Sequence, residues 1–145
     1  MGKTPTLAAL AKRGVVIDDT TYILCNSGEE NDDHLFTRCI VAAQVWFMVS
    51  RWCKIAPVIA TTIKEVLEVH NQVDLACKAR GVFCRIVRVA CWCIWRAHNS
   101  LGFDNKQVKV AEIISDIKSL GFLWICNRSK DRNLYWEDWC RFVNM

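Results

Sequence analysis

From about Leu75 to Leu101 the chain reads LACKARGVFCRIVRVACWCIWRAHNSL, nearly all apolar between widely spaced arginines. A pattern of this length predicts one long helix, the central and most buried element, with the rest of the chain packed around it. Its most apolar part, Val82 to Trp95, is interrupted by Arg85 and Arg88 and is too short to span a bilayer. The arginines are expected at the margins of the buried helix, their stems on apolar surface and their heads in water. The alternative is that Arg80, Arg85, Arg88 and Arg96, with Trp92 and Trp95 between them, form a basic and aromatic surface for single strands. Cys77, Cys84 and Cys91 share one helical face at two-turn intervals and read as a packing stripe. Cys91 and Cys93 point about 200° apart on a helix, so they cannot chelate one metal together.

Helical spacing recurs on both sides of this segment. Val41, Val45, Trp46, Val49, Trp52 and Cys53 follow an amphipathic rhythm that Pro57 ends. Thr61 or Thr62 then starts a helix with Ile63, Val66, Leu67 and His70 on one side. VKVAEIISDIKSLGFLWICN repeats the spacing at Val110, Ile114, Ile117 and Gly121–Trp124. After the polar turn NRSKDRN, a last helix places Tyr135, Trp139 and Phe142 on one face, docked on the core. Near the start, LAALAKRG reads as a short helix that Thr6 caps and Gly14 ends. VVIDDTTYIL, β-branched and short, reads as extended structure leading into Cys25. The expected fold is a mainly α small domain of five to seven helices, with a short extended, zinc-knuckle-like N-terminal segment.

A chain of 145 residues, 52% hydrophobic and 23% charged, can bury a real core and is globular in character. Its seven tryptophans read as core anchors, and Trp46, Trp92, Trp95 and Trp124 are expected to be largely buried. No secretory signal opens the sequence, so the expected setting is intracellular, in nucleus or cytoplasm, with no membrane association. Nine cysteines, an odd number, then read as thiols, packing residues or metal ligands, not as a disulfide framework. The formal net charge is +4, and it is unevenly placed. Residues 1–73 carry seven Lys/Arg against eight Asp/Glu, and residues 74–145 carry twelve against seven. The basic excess of the second half points to an anionic partner there.

The loop CNSGEENDDHLFTRC sets Cys25, His34 and Cys39 at spacings of a structural zinc site, which takes four tetrahedral ligands, usually thiolates and imidazoles. The residue that would complete a C-x-x-C pair with Cys25 is Tyr22, whose phenol ionises near pH 10 and is a poor substitute for a thiolate. Water, or a distant group such as Cys53, could complete the set. Equally, Cys25 and Cys39 could be small buried residues, with His34 hydrogen-bonded in the turn. The loop is acidic, with Glu29, Glu30, Asp32 and Asp33 against a lone Arg38, so it would repel phosphate.

LAKRGV, CNSGEE, DHLFTRC and the VW pair at Val45–Trp46, in that order, resemble the zinc-binding domain in the C-terminal part of plant non-LTR (LINE-type) reverse transcriptases. CIWRAHN, SLGFLWICNRSK and WEDWCRF resemble the chain end of such retroelement polyproteins. The resemblance implies a zinc-binding-like segment over residues 1–56 and a helical segment over residues 57–145 packed on it. It implies Cys25, His34 and Cys39 as zinc ligands, with Tyr22 where the first cysteine of the family pattern stands, hence a weakened site. It also implies association with RNA or DNA. The family's polymerase domain and its metal-binding aspartates have no counterpart here, so the chain resembles a truncated, non-catalytic copy.

No Cys–His pair comes with an acidic orienter, and nothing points to a small-molecule substrate, so no enzyme activity is expected. Lys106, Lys109, Lys118, Arg128, Lys130, Arg132 and Arg141 fall on positions expected to be exposed. Among them Lys106, Lys109, Arg128, Lys130 and Arg132 are the chosen candidates for phosphate contacts. Two functions remain from the sequence: a nucleic-acid-associated module, or a structural or protein-interaction helical domain with a degenerate, metal-free knuckle.

Overall fold

The computed structural model describes residues 31–104, 108–128 and 134–145. The elements run in order as a π-helical turn (His34–Arg38), α1 (Ile40–Cys53), α2 (Ile63–Glu68) continued by a 3-10 turn (Val69–Asn71), α3 (Cys77–Asp104), α4 (Val110–Arg128) and α5 (Trp136–Arg141). The architecture is mainly α, and no strand occurs among the described residues. No described helix is long and apolar enough to cross a membrane. The first helix and the extended segment expected before Cys25 lie outside the described residues.

The 28 residues of α3 make it about 42 Å long. It forms the spine, packing most extensively on α4, while α1 packs on α4 as well. One hydrophobic cluster joins Val45, Trp46 and Val49 of α1, Phe83, Ile86, Ala90 and Ile94 of α3, Ile113 and Ile117 of α4, and Trp139 of α5. Residues on both sides of position 56 therefore share a core.

Each helix begins or ends for a local reason. At α2, the Thr62 side chain accepts from the Glu65 N–H at 3.2 Å, while the Glu65 carboxylate accepts from the Thr61 N–H at 2.7 Å, a reciprocal cap. Those hydrogen bonds to the backbone and side chain of Thr61 hold the exposed Glu65 carboxyl below its ordinary range. α1 ends in a double reverse bond: the N–H of Ile55 donates to Ser50 O and that of Lys54 to Arg51 O. Lys54 takes the left-handed conformation, φ 57°, where glycine is the usual residue. α5 ends the same way at Phe142, φ 50°. The Ser50 hydroxyl donates to Trp46 O and accepts from Val58 N–H, folding the chain back after Pro57.

Three expectations are corrected. Trp92 is 46% exposed, not core. Its neighbours one turn away on either side are Arg88 and Arg96, so a helix that turns Cys91, Cys93 and Ile94 inward must turn Trp92 outward. Tyr135 is 69% exposed, because it caps α5 in extended conformation and stands before the helix whose face it was assigned to. Cys77 is exposed at the start of α3, so the cysteine stripe runs from surface at Cys77 to core at Cys91. Trp46 is buried as expected, Trp95 and Trp124 are half-buried, and the most deeply buried indole is Trp139.

Candidate nucleic-acid interface

The outward face of α3 carries Arg85, Arg88, Trp92 and Arg96, with Arg80 at its flank. These positions recur at intervals of three to five residues, which holds them to one side of the helix. Arg80, Arg85 and Arg88 are exposed. They line a groove of about 500 Å³ between the first half of α3 and the end of α4. The α4 wall supplies Trp124 and Arg128, one turn apart, with the Arg128 guanidinium 5.2 Å from the Trp124 ring centroid. His70, Cys77, Gly81 and Cys84 complete the lining. Among the described residues, none that lines the groove carries a carboxylate. Four guanidiniums thus face one groove in a chain whose entire formal net charge is +4. Arg80 also donates to Leu75 O at 3.2 Å, and His70 Nδ1 lies 2.9 Å from Leu67 O, so the near rim is tied down.

Two other concave surfaces behave differently. Toward the far end of α3 a groove of about 260 Å³ holds Arg96, Lys109, Glu112 and Asp116. Its charges are paired, Arg96 with Asp116 and Lys109 with Glu112. A third, lined by Arg51, Lys54, Lys118 and Arg141, is cationic for a structural reason. Arg51 and Arg141 stand in the last turns of α1 and α5, and Lys54 caps α1, so they offset the negative ends of two helices. Lys118 lies over the Trp52 ring at 5.2 Å.

Of the chosen phosphate candidates, Arg128 reaches the arginine groove. Lys109 does not, since it precedes α4, whose 19 residues span about 28 Å, and it pairs with Glu112 at 3.7 Å. Lys106, Lys130 and Arg132 lie outside the described residues. The α3 arginines, read from sequence as margins of a buried helix, are the larger part of the cluster. Their signal was present: arginines and Trp92 at helical spacing, with no acid between Lys78 and Asn99.

His34 and Cys39 bracket the π-helical turn, both buried, with the Cys39 N–H donating to His34 O at 2.9 Å. Asn31 Oδ1 accepts from the His34 N–H at 2.8 Å. Asp33 Oδ1 accepts from the Ile63 N–H at 2.9 Å, and the Thr37 hydroxyl donates to Thr61 O at 3.1 Å, so this turn is tied to the start of α2. An imidazole and a thiol of the kind zinc takes are thus held close in chain and fold, but they are half of a tetrahedral set. No group of three or more metal-ligating side chains occurs among the described residues, and Cys25 and Tyr22 lie outside them. Cys53 cannot complete the set. It closes the 14-residue α1 that Cys39 caps, which puts the two about 21 Å apart. Burial, opposed in part by Lys118, also pushes its thiol far above the ordinary range.

No protein-family model, no curated protein and no solved structure matches the chain.

Proposed function

We propose that this chain is a non-catalytic nucleic-acid-binding module, derived from the C-terminal zinc-binding region of a plant LINE-type reverse transcriptase. The observation that carries the binding reading is the groove of Arg80, Arg85, Arg88 and Arg128, walled by Trp124 and without a carboxylate among the described residues that line it. Clustered exposed guanidiniums repel one another and cost stability unless a polyanion neutralises them. Arginine forks match phosphate oxygens two at a time, which makes phosphate the natural counter-charge. The retroelement origin rests on the ordered motifs from LAKRGV to WEDWCRF. In this reading Cys25, His34 and Cys39 hold zinc in a site weakened at Tyr22, and the metal staples the loop before α1 without taking part in binding.

Fluorescence anisotropy with a labelled oligonucleotide across a salt series tests the proposal. Neutralising four phosphates predicts a slope of log affinity against log salt of about −3 for a single strand. The Arg85→Glu, Arg88→Glu double variant is expected to lose most of the affinity and flatten the slope, while Lys109→Glu leaves both nearly unchanged. Absence of binding at low salt, or a slope indifferent to the double variant, would overturn the reading. Elemental analysis of the purified chain before and after chelation tests the zinc staple separately: no bound zinc before chelation would remove it.

A further inference from the structure

We infer that the strand this groove accepts is single, with phosphates on the α3 arginines and a base stacked against Trp124. The inference rests on the nucleic-acid reading above and narrows it. Two features favour an unpaired strand over a duplex, and a third sets its tolerance of sequence.

The first is width. The arginines stand on both walls of a cleft between two helices in contact, and packed helix axes lie about 8–10 Å apart. A duplex is a rod wider than its own major groove of about 12 Å and would meet only the rim of a cleft of about 500 Å³, whereas one strand can lie in it. The second is the indole. Paired bases keep their faces stacked on one another, but an unpaired base can turn a face to Trp124, which Arg128 already backs at 5.2 Å. The same unit recurs along the strand's path. Trp92, a residue 46% exposed, lies beneath Arg96 at 4.8 Å on the same side of α3, one turn beyond Arg88. The part of Trp92 that Arg96 leaves uncovered is open to a second stacking partner. The third is the lack of readers. Among the described residues no amide or carboxylate side chain lines the groove, and its one imidazole, His70, has Nδ1 engaged 2.9 Å from Leu67 O, so few groups beyond the guanidiniums are suited to discriminate base edges and binding is tolerant of sequence.

The test compares a labelled single-stranded RNA, the matching single-stranded DNA and their duplexes, with polyglutamate as competitor, all against the full chain. Either single strand is expected to bind at least about tenfold more tightly than the duplexes. Trp124→Ala is expected to weaken single-strand binding by about tenfold with the salt slope unchanged, a size typical of one stacked base, while Trp124→Phe retains most of it. Because Trp124 is half-buried, Trp92→Ala provides a second variant at an exposed position, expected to cost several-fold. Equal affinity for duplex and single strand, with both alanine variants silent, would overturn the single-strand inference and leave nucleic-acid binding standing. Failure of every oligonucleotide to bind, or complete displacement by polyglutamate at equal charge, would overturn both.

Discussion

The indole N–H of Trp52 donates to the main-chain carbonyl of Trp139 at 2.9 Å, across 87 residues of chain. The two rings meet edge to face, 4.9 Å apart. In turn Trp139 donates its own N–H to Lys118 O at 2.8 Å, so one indole ties α5 to both α1 and α4. Such a contact adds ring packing to one buried and one partly buried hydrogen bond.

Two substitutions test this anchor by chemical denaturation. A Cβ at Gly121 would lie 2.9 Å from Trp139 Cζ2, closer than carbon atoms pack. Gly121→Ala is therefore expected to destabilise by about 1–3 kcal/mol, despite the better helix propensity of alanine. Trp139→Ala is expected to cost about 3–5 kcal/mol. A gain in stability for Gly121→Ala would mean that the indole has room to move.

The two left-handed caps should respond in opposite directions to glycine. Lys54 is exposed, so Lys54→Gly relieves the strain of a side chain at φ 57° and is expected to stabilise by about 1 kcal/mol. Phe142 is buried, with its ring 6.2 Å from Trp52, so Phe142→Gly loses more in packing than it gains in backbone freedom. Thermal melts of both variants check this, and equal signs would contradict it.

Stability is expected to fall in alkali because the core holds thiols. Burial pushes Cys91 up from 9.0 to about 12, and burial, opposed in part by Arg96, pushes Cys93 up to about 11. The folded state keeps protons that the unfolded chain releases. Their contribution is complete below pH 9.0 and is lost as pH rises toward about 11 and 12. Denaturation midpoints measured from pH 8 upward should decline more steeply than in the Cys91→Ala, Cys93→Ala double variant. Parallel declines would show that other groups govern the loss.

Alkylation should map the same gradient of burial. With limiting iodoacetamide at neutral pH, peptide mapping is expected to find Cys77 modified well before Cys53, Cys91 and Cys93. Nucleic acid bound in the groove should slow the reaction at Cys77, which lines it. Protection of the core cysteines alone, with Cys77 unaffected by added strand, would place the strand elsewhere.

Periodicity carried most of the fold. Helices α1, α3 and α4 emerge where apolar residues recur at three and four, because one face must be buried. Orientation around α3 was harder to read. Its composition suggests burial all round, and only placing Trp92 between Arg88 and Arg96 separates the solvent face from the core. The groove was half legible, since its second wall comes from a helix more than thirty residues downstream. No local pattern tells that Arg128 will stand opposite Arg85 while Lys109 pairs with its own neighbour. The role of Asp33 was hidden for the same reason, its partner being the Ile63 N–H.

The tripeptide Cys91-Trp92-Cys93 splits at each bond between interior and surface. Its members are therefore subject to different selection. The two cysteines answer to volume, so drift there is confined to alanine, serine or valine. The tryptophan fills no core volume, and its contact within the fold is with Arg96 at 4.8 Å, so its loss opens no cavity. Under the binding role proposed above, loss of binding would free position 92 to change while 91 and 93 stay held by the core.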